Sequence, residues 1–254
     1  MNLESVGQSI ALIIDESKPK SNCLLSVEPD EKKVINFMKE IKLIDNRKFQ
    51  IIPDISQARN IHYISGASGS GKSYWTRFYA DQYRKLYPKR SIFLISSLTE
   101  DTSIDKIKDL KRIKLTPEFL NDTIEAEDFA DSLVIFDDCE AIQDKYMLRK
   151  IQGILNQLLT IGRHHNISVC NLTHSACAGQ STKLILNEAH NICIFPHGLG
   201  GRSLKYLLQE YLGLDKNQVK KLKNLKSRWV CIYKTYPMVI ISEKEAYVLN
   251  MGDD

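Results

Sequence analysis

The chain has 254 residues, 43% apolar and 26% charged, which is the composition of an ordinary globular protein. No apolar run approaches the ~20 residues needed to cross a bilayer, so no membrane span is expected. A formal net charge of +4 admits a nucleic-acid partner without demanding one.

One large domain, or a domain with extensions, fits this length. The apolar stretch 9–14 is too short for a signal peptide and is flanked by Glu4 and Asp15. The six cysteines are scattered, several of them inside apolar strand-like runs. Those within the runs read as buried free thiols, and the chain as a reduced, cytosolic protein. Cys170, His174 and Cys177 lack a fourth ligand at zinc-finger spacing, so no zinc site is expected.

In chain order, residues 10–14 and 23–27 read as short strands and 31–42 as an amphipathic helix. Residues 49–52 read as a strand closed by Pro53. Residues 1–59 are too structured for a tail. They are expected to pack as an N-terminal extension on a core of residues 60–254.

Ile61-His62-Tyr63-Ile64 is a β-prone run leading into Gly66-Ala67-Ser68-Gly69-Ser70-Gly71-Lys72-Ser73. The octapeptide fits G-x-x-x-x-G-K-[ST] at every specified position. Glycines let successive N–H groups close round a phosphate as a nest, and the helix that follows adds its positive N-terminal dipole. Lys72 is expected at the β- and γ-phosphates of ATP, the Ser73 hydroxyl on Mg²⁺, and Tyr74 alongside them in the nucleotide site. Trp75, Phe78, Tyr79 and Leu86 then recur at helical spacing until Pro88. Strand, glycine-rich loop and helix follow in the order a phosphate-binding loop requires.

Residues 91–95 are a continuous apolar run, as in a buried parallel strand. Residues 99–128 are polar, with Lys106, Lys108, Lys111, Arg112 and Lys114 clustered, and read either as a solvated connector or as a DNA-facing surface. Leu133-Val134-Ile135-Phe136-Asp137-Asp138 is a buried strand ending in carboxylates, at the sheet edge where α/β proteins bind ligands. Asp137 is expected to hold Mg²⁺ through water opposite Ser73, and Asp138 or Glu140 to polarise the attacking water.

Met147, Leu148, Ile151, Leu155, Leu158 and Leu159 mark one face of a long helix, with Gly162 as its C-cap. Residues 167–172 form a strand that delivers Thr173 and His174 to the same edge. His174 is there either as a sensor of the γ-phosphate or as a surface or capping histidine. Residues 191–195 are a further strand, 204–212 and 216–225 are helices, and 229–234 pairs with 238–241 as a β-hairpin. Lys216, Lys220, Lys221, Lys223, Lys226 and Arg228, with Trp229 and Tyr233 beyond, form the most basic stretch. It suits either a phosphate backbone or a solvated helix face.

The strand at 92–95, between the loop strand and the Asp137 strand, points to the ATPase branch with an additional central strand. The absence of N-K-x-D argues against a GTPase, and the absence of an arginine-rich lid argues against a small-molecule kinase. The expected fold is a P-loop NTPase three-layer α/β sandwich with a mostly parallel central sheet, an N-terminal extension and a C-terminal β-hairpin.

GASGSGKS, the LVIFDD strand and the segment from Thr160-Ile161-Gly162-Arg163-His164-His165-Asn166-Ile167-Ser168-Val169 to Leu172-Thr173 resemble the poxvirus-type genome-packaging ATPases. These belong to large double-stranded DNA viruses and virophages, within the FtsK–HerA superfamily. The resemblance runs over residues 61–195. It departs from the family at His174, where Gln is usual after Leu-Thr, and its pattern favours Asp138 over Glu140 as the base.

The resemblance implies an ATPase that assembles as a homo-oligomeric ring, a pentamer or hexamer, and drives double-stranded DNA into a preformed capsid. Its partners would be capsid portal or vertex proteins, at the assembly site in the host cytoplasm or in the virion. In such a ring Arg163 would serve either as a finger on a neighbour's nucleotide or as a partner of its own helix's C-terminal carbonyls. Arg149 and Arg202 are the next candidates for the finger. The alternatives are a helicase-like or transposition-related ATPase, or a nucleotide-regulated scaffold with little turnover.

Overall fold

The computed structural model describes residues 1–15, 17–18, 22–44 and 46–249. Its N-terminal strands are β1 (Gln8–Asp15), β2 (Cys23–Val27), β3 (Glu40–Lys42) and β4 (Arg47–Ile51). The core then runs β5 (Ile61–Ser65), α1 (Lys72–Leu86), β6 (Ser91–Ser96), β7 (Leu110–Ile113), β8 (Ser132–Asp137), α2 (Lys145–Thr160), β9 (Ser168–Thr173), α3 (Gln180–Glu188) and β10 (Asn191–Ile194). α4 (Gly201–Lys205) continues into a π-helical turn at Tyr206–Tyr211. After it come α5 (Lys216–Lys223), β11 (Val230–Tyr233), β12 (Val239–Ser242) and β13 (Glu245–Val248).

The main sheet has the order β3-β13-β12-β11-β10-β5-β9-β8-β6-β7. Neighbours from β10 to β7 are parallel, and the strands on the β11 side are antiparallel. Parallel strands are covered on both faces, which is why all of Ser132–Asp137 is buried. Its alternation sorts the layers. Leu133 and Ile135 pack on the α1 side, Val134 and Phe136 on the side of α2 to α5.

β9 lies between β5 and β8, so the additional central strand is residues 168–173 and not the 91–96 run, which sits outside β8. Chain order does not fix sheet order, because each crossover returns to whichever strand edge is free.

β1, β2 and β4 form a separate antiparallel sheet, β2-β1-β4, whose apolar face packs on α1 and on the antiparallel strands of the main sheet. The Tyr233 hydroxyl donates to Ile10 O at 3.0 Å, tying the two sheets.

Residues 31–42 and 99–128 also differ from their sequence reading. Residues 31–42 form one 3-10 turn, Glu31–Lys33, followed by the edge strand β3. β-branched Val34 and Ile35 favour extended backbone, and pairing of β3 with β13 outweighs the weak helical period. The connector 99–128 contains β7, an edge strand whose Lys111 and Arg112 hid it. Arg112 is engaged by Asp105 and by Leu98 O, and Lys111 Nζ donates to Ser91 Oγ at 2.9 Å.

Candidate nucleotide site

β5 ends at Ser65 and α1 begins at Lys72, with the phosphate-type loop between them. Gly71 has φ 110°, a conformation open to glycine and strained for other residues. A Cβ on Gly66 would lie 2.6 Å from Ser70 Oγ and 2.8 Å from Phe195 Cβ, so only glycine lets the loop close here. Phe195 N donates to Ser65 O at 2.8 Å, which holds that ring against the loop.

Ser70 Oγ is buried without a hydrogen-bond partner among the described residues. An orphaned hydroxyl beside glycine N–H groups at a helix N-terminus fits an anionic phosphate ligand. Lys72 Nζ crosses the loop and donates to Gly66 O at 2.8 Å and Ala67 O at 3.2 Å. Burial lowers its pKa, opposed by the charges of Asp138, Asp137 and Glu140.

β8 and β9 bring their C-terminal ends to the same edge. Asp137 is 2% exposed, and burial, reinforced by the Asp138 and Asp101 charges, pushes its carboxyl up to about 7. A bound cation is the ordinary way to hold such a carboxylate ionised. The Asp137 carboxylate and the Ser73 hydroxyl are both hard oxygen ligands, of the kind Mg²⁺ takes.

Asp138 is in the left-handed region, φ 51°, a conformation Asp tolerates at a cost on the order of 1 kcal/mol. Its Oδ1 accepts from His174 Nε2 at 2.6 Å, while His174 Nδ1 lies 3.5 Å from Lys72 Nζ. A neutral imidazole protonated on Nε2 satisfies both contacts. Glu140 accepts from the Thr173 hydroxyl and from His174 N. The structure therefore gathers Lys72, Asp137, Asp138, Glu140 and His174 around one end of the loop. Tyr74, on α1, is 57% exposed.

No family model matches the chain. The uncharacterized protein V3 of Sputnik virophage is 36% identical over 193 residues, covering 75% of this chain and 78% of V3. The chain belongs to the V3 family. Among solved structures, the DNA-packaging ATPase B204 of Sulfolobus turreted icosahedral virus superposes with a TM-score of 0.52 at 17% identity. That match covers 74% of this chain and 98% of B204. The cytoplasmic domain of the type VII secretion ATPase EccC of Thermomonospora curvata also gives 0.52, at 10% identity, over 90% of this chain and 31% of that one. The fold is that of the P-loop NTPases. This is the fold that the resemblance to the poxvirus-type packaging ATPases implies, and the relative is a virophage protein.

In this V3-family chain Arg163 is exposed in a 3-10 turn, Gly162–His165, which precedes β9 and so lies at the sheet edge opposite Asp137. The C-terminal carbonyls of α2 are taken by another arginine. Arg59 donates to Leu158 O at 2.7 Å and to Leu159 O at 2.8 Å and pairs with Glu188 at 3.6 Å. Gly162 is not the C-cap, which is Ile161. A Cβ on Gly162 would sit 3.1 Å from Arg59 Nη1. Arg149 and Arg202 are exposed on helices that follow β8 and β10, on the side of the nucleotide loop.

On α5, Lys220 and Lys223 are exposed, while Lys221 lies 3.3 Å from Glu40 Oε1 and 3.9 Å from the Tyr247 ring centroid. Trp229 and Tyr233 are buried at 9% and 3% exposure, so the aromatic half of the basic stretch is core. Sequence reasoning missed Phe195, Gly198 and Arg59. A Cβ on Gly198 would meet Ala67 Cβ at 2.8 Å, so the turn Pro196–Gly198 braces the loop. No motif marks these residues, because each acts across strands distant in sequence.

Proposed function

We propose that the chain is a Mg²⁺-dependent ATPase that couples hydrolysis to translocation of double-stranded DNA and packages a viral genome into a preformed capsid. The observation that carries the ATPase reading is the chain of contacts Lys72–His174–Asp138 across the mouth of a loop with an orphaned Ser70 hydroxyl. The similarity to V3 and the fold shared with B204, a DNA-packaging ATPase, support the packaging role.

The loop N–H groups and the Lys72 ammonium bind the phosphates, and Ser73 and Asp137 hold the metal. A magnesium ion held there would supply positive charge against the phosphate oxygens. Asp138, oriented by Nε2–H of His174, accepts the proton of the attacking water. Glu140 fixes Thr173 and the His174 backbone, so the end of β9 follows any movement of the β8 carboxylates. Subunits work as a homo-oligomeric ring, a pentamer or hexamer, at a capsid portal or vertex. They act at the assembly site in the host cytoplasm or in the virion.

The test is ATPase turnover with and without double-stranded DNA. Stimulation by long duplex, absent with Lys72→Ala, is expected; turnover indifferent to DNA would sink the pump.

A further inference from the structure

The catalytic side chains occupy only one side of the loop, the side of β9 and β8. On the other side, towards β10 and β11, a cavity of about 690 Å³ opens from Ser70 and Gly71. That volume lies in the range of small-molecule sites, roughly 300–1,000 Å³. One wall is α1, where Tyr74 and Phe78 present themselves one turn apart, their rings edge-to-face at 4.6 Å. The core face of α1 is Trp75, Tyr79 and Tyr83, so Tyr74 and Phe78, 57% and 37% exposed, are not needed to hold the helix down. Trp229, the residue before β11, also lines the cavity.

The remaining wall comes from the N-terminal sheet. Gln50 of β4 lines the cavity, and its Nε2 reaches Phe78 O at 3.4 Å. Phe49 N donates to Glu243 O at 2.8 Å, which fastens β4 to the turn between β12 and β13. Glu243 also lines the cavity, so a few polar side chains stand among aromatic ones. Flat aromatic surfaces bind bases by stacking, and scattered polar groups then orient the ring edge.

We propose that this cavity takes the nucleobase of the nucleotide whose phosphates sit in the loop, and that the N-terminal sheet is one wall of the nucleotide site. The inference rests on the ATPase reading above. A nucleotide with its terminal phosphate at Lys72 and His174 runs back along the loop and leaves it at Ser70 and Gly71, where the cavity begins. The 1–59 segment thereby becomes part of substrate recognition, and nucleotide binding and docking of the N-terminal sheet reinforce each other.

Inorganic tripolyphosphate carries the phosphates without a base, and comparing it with ATP isolates the cavity. The chain's two tryptophans, Trp75 and Trp229, both line it, so their emission reports on it directly. ATP should change tryptophan fluorescence and tripolyphosphate should not. By calorimetry, Tyr74→Ala should weaken ATP about tenfold or more and leave tripolyphosphate unchanged, with Tyr74→Phe near the parent. Gln50→Ala should weaken ATP alone. Tyr74→Ala and Gln50→Ala variants that keep parent ATP affinity, or that weaken both probes alike, overturn the base site. Unchanged tripolyphosphate affinity in Lys72→Ala overturns instead the nucleotide-loop reading on which it stands.

Discussion

His174 Nε2 lies 2.6 Å from Asp138 Oδ1, and the other nitrogen of the same ring faces Lys72. This places a histidine where the packaging ATPases that the sequence resembles usually carry Gln. The histidine links the end of β9 to both the loop lysine and the carboxylate proposed as base. Asp138→Asn should lower kcat by 10² or more and keep ATP bound, since a carboxamide cannot accept the proton. His174→Ala should lower kcat by about tenfold, and His174→Gln should recover part of that. Steady-state hydrolysis beside nucleotide titration checks this. An Asp138→Asn variant turning over at the parent rate moves the base to Glu140.

Lys72→Ala should abolish tight ATP binding, because it leaves phosphate charge unpaired in a site built to surround it. Asp137→Asn should bind ATP but lose Mg²⁺-dependent hydrolysis. It should also raise stability at pH 8, since a buried carboxylate held up to about 7 costs folding free energy once ionised. Denaturant melts of the two proteins, without nucleotide, give the comparison.

His62 on β5 is buried against Tyr79, ring centroids 4.2 Å apart, and burial pushes its imidazole down to about 3. The folded state therefore resists a proton that the unfolded chain takes up near 6.5. The sign follows. Stability from this site is complete above pH 6.5 and is lost as pH falls from there towards 3. At pH 5 the loss amounts to about 2 kcal/mol. His62→Phe should lose less stability than the parent between pH 7 and pH 5 by about that amount. Equal losses in the two proteins would show that the acid sensitivity lies elsewhere.

DNA binding should be independent of sequence and fall steeply with salt, since it rests on Lys and Arg neutralising phosphates. Lys221 is engaged by Glu40 and Tyr247, so the informative change is Lys216, Lys220 and Lys223 to Glu together. Affinity should fall and the slope of log K against log salt should flatten. Full affinity in the triple variant moves the DNA path off α5.

Arg163 stands at the sheet edge away from its own Asp137, while Arg59 already serves the carbonyls of α2. If Arg163 reaches a neighbour's nucleotide, Arg163→Ala subunits with an intact loop should regain hydrolysis when mixed with Lys72→Ala subunits. No recovery from two variants that both assemble makes Arg163 structural and passes the finger to Arg149 or Arg202, which are exposed on the loop side.

The loop at 66–73, the LVIFDD strand and the segment 160–173 could be read directly because their chemistry depends on consecutive residues. A nest of N–H groups, a strand ending in an acid and a buried apolar run are each written within six to eight neighbouring positions. The order of the strands could not be read that way. Residues 168–173 insert between β5 and β8 while the apolar run at 91–96 goes outside, a choice made by which sheet edge each crossover finds free. The same holds for Glu40–Lys42, which pairs with Glu245–Tyr247 from the far end of the chain. Phe195, Gly198 and Arg59 carry no pattern of their own. They matter because folding sets them against Gly66, Ala67 and the end of α2. Local hydrogen bonding and side-chain period are properties of a short stretch of chain, whereas edge pairing, bracing contacts and cavity walls depend on what remains unsatisfied once distant stretches have met.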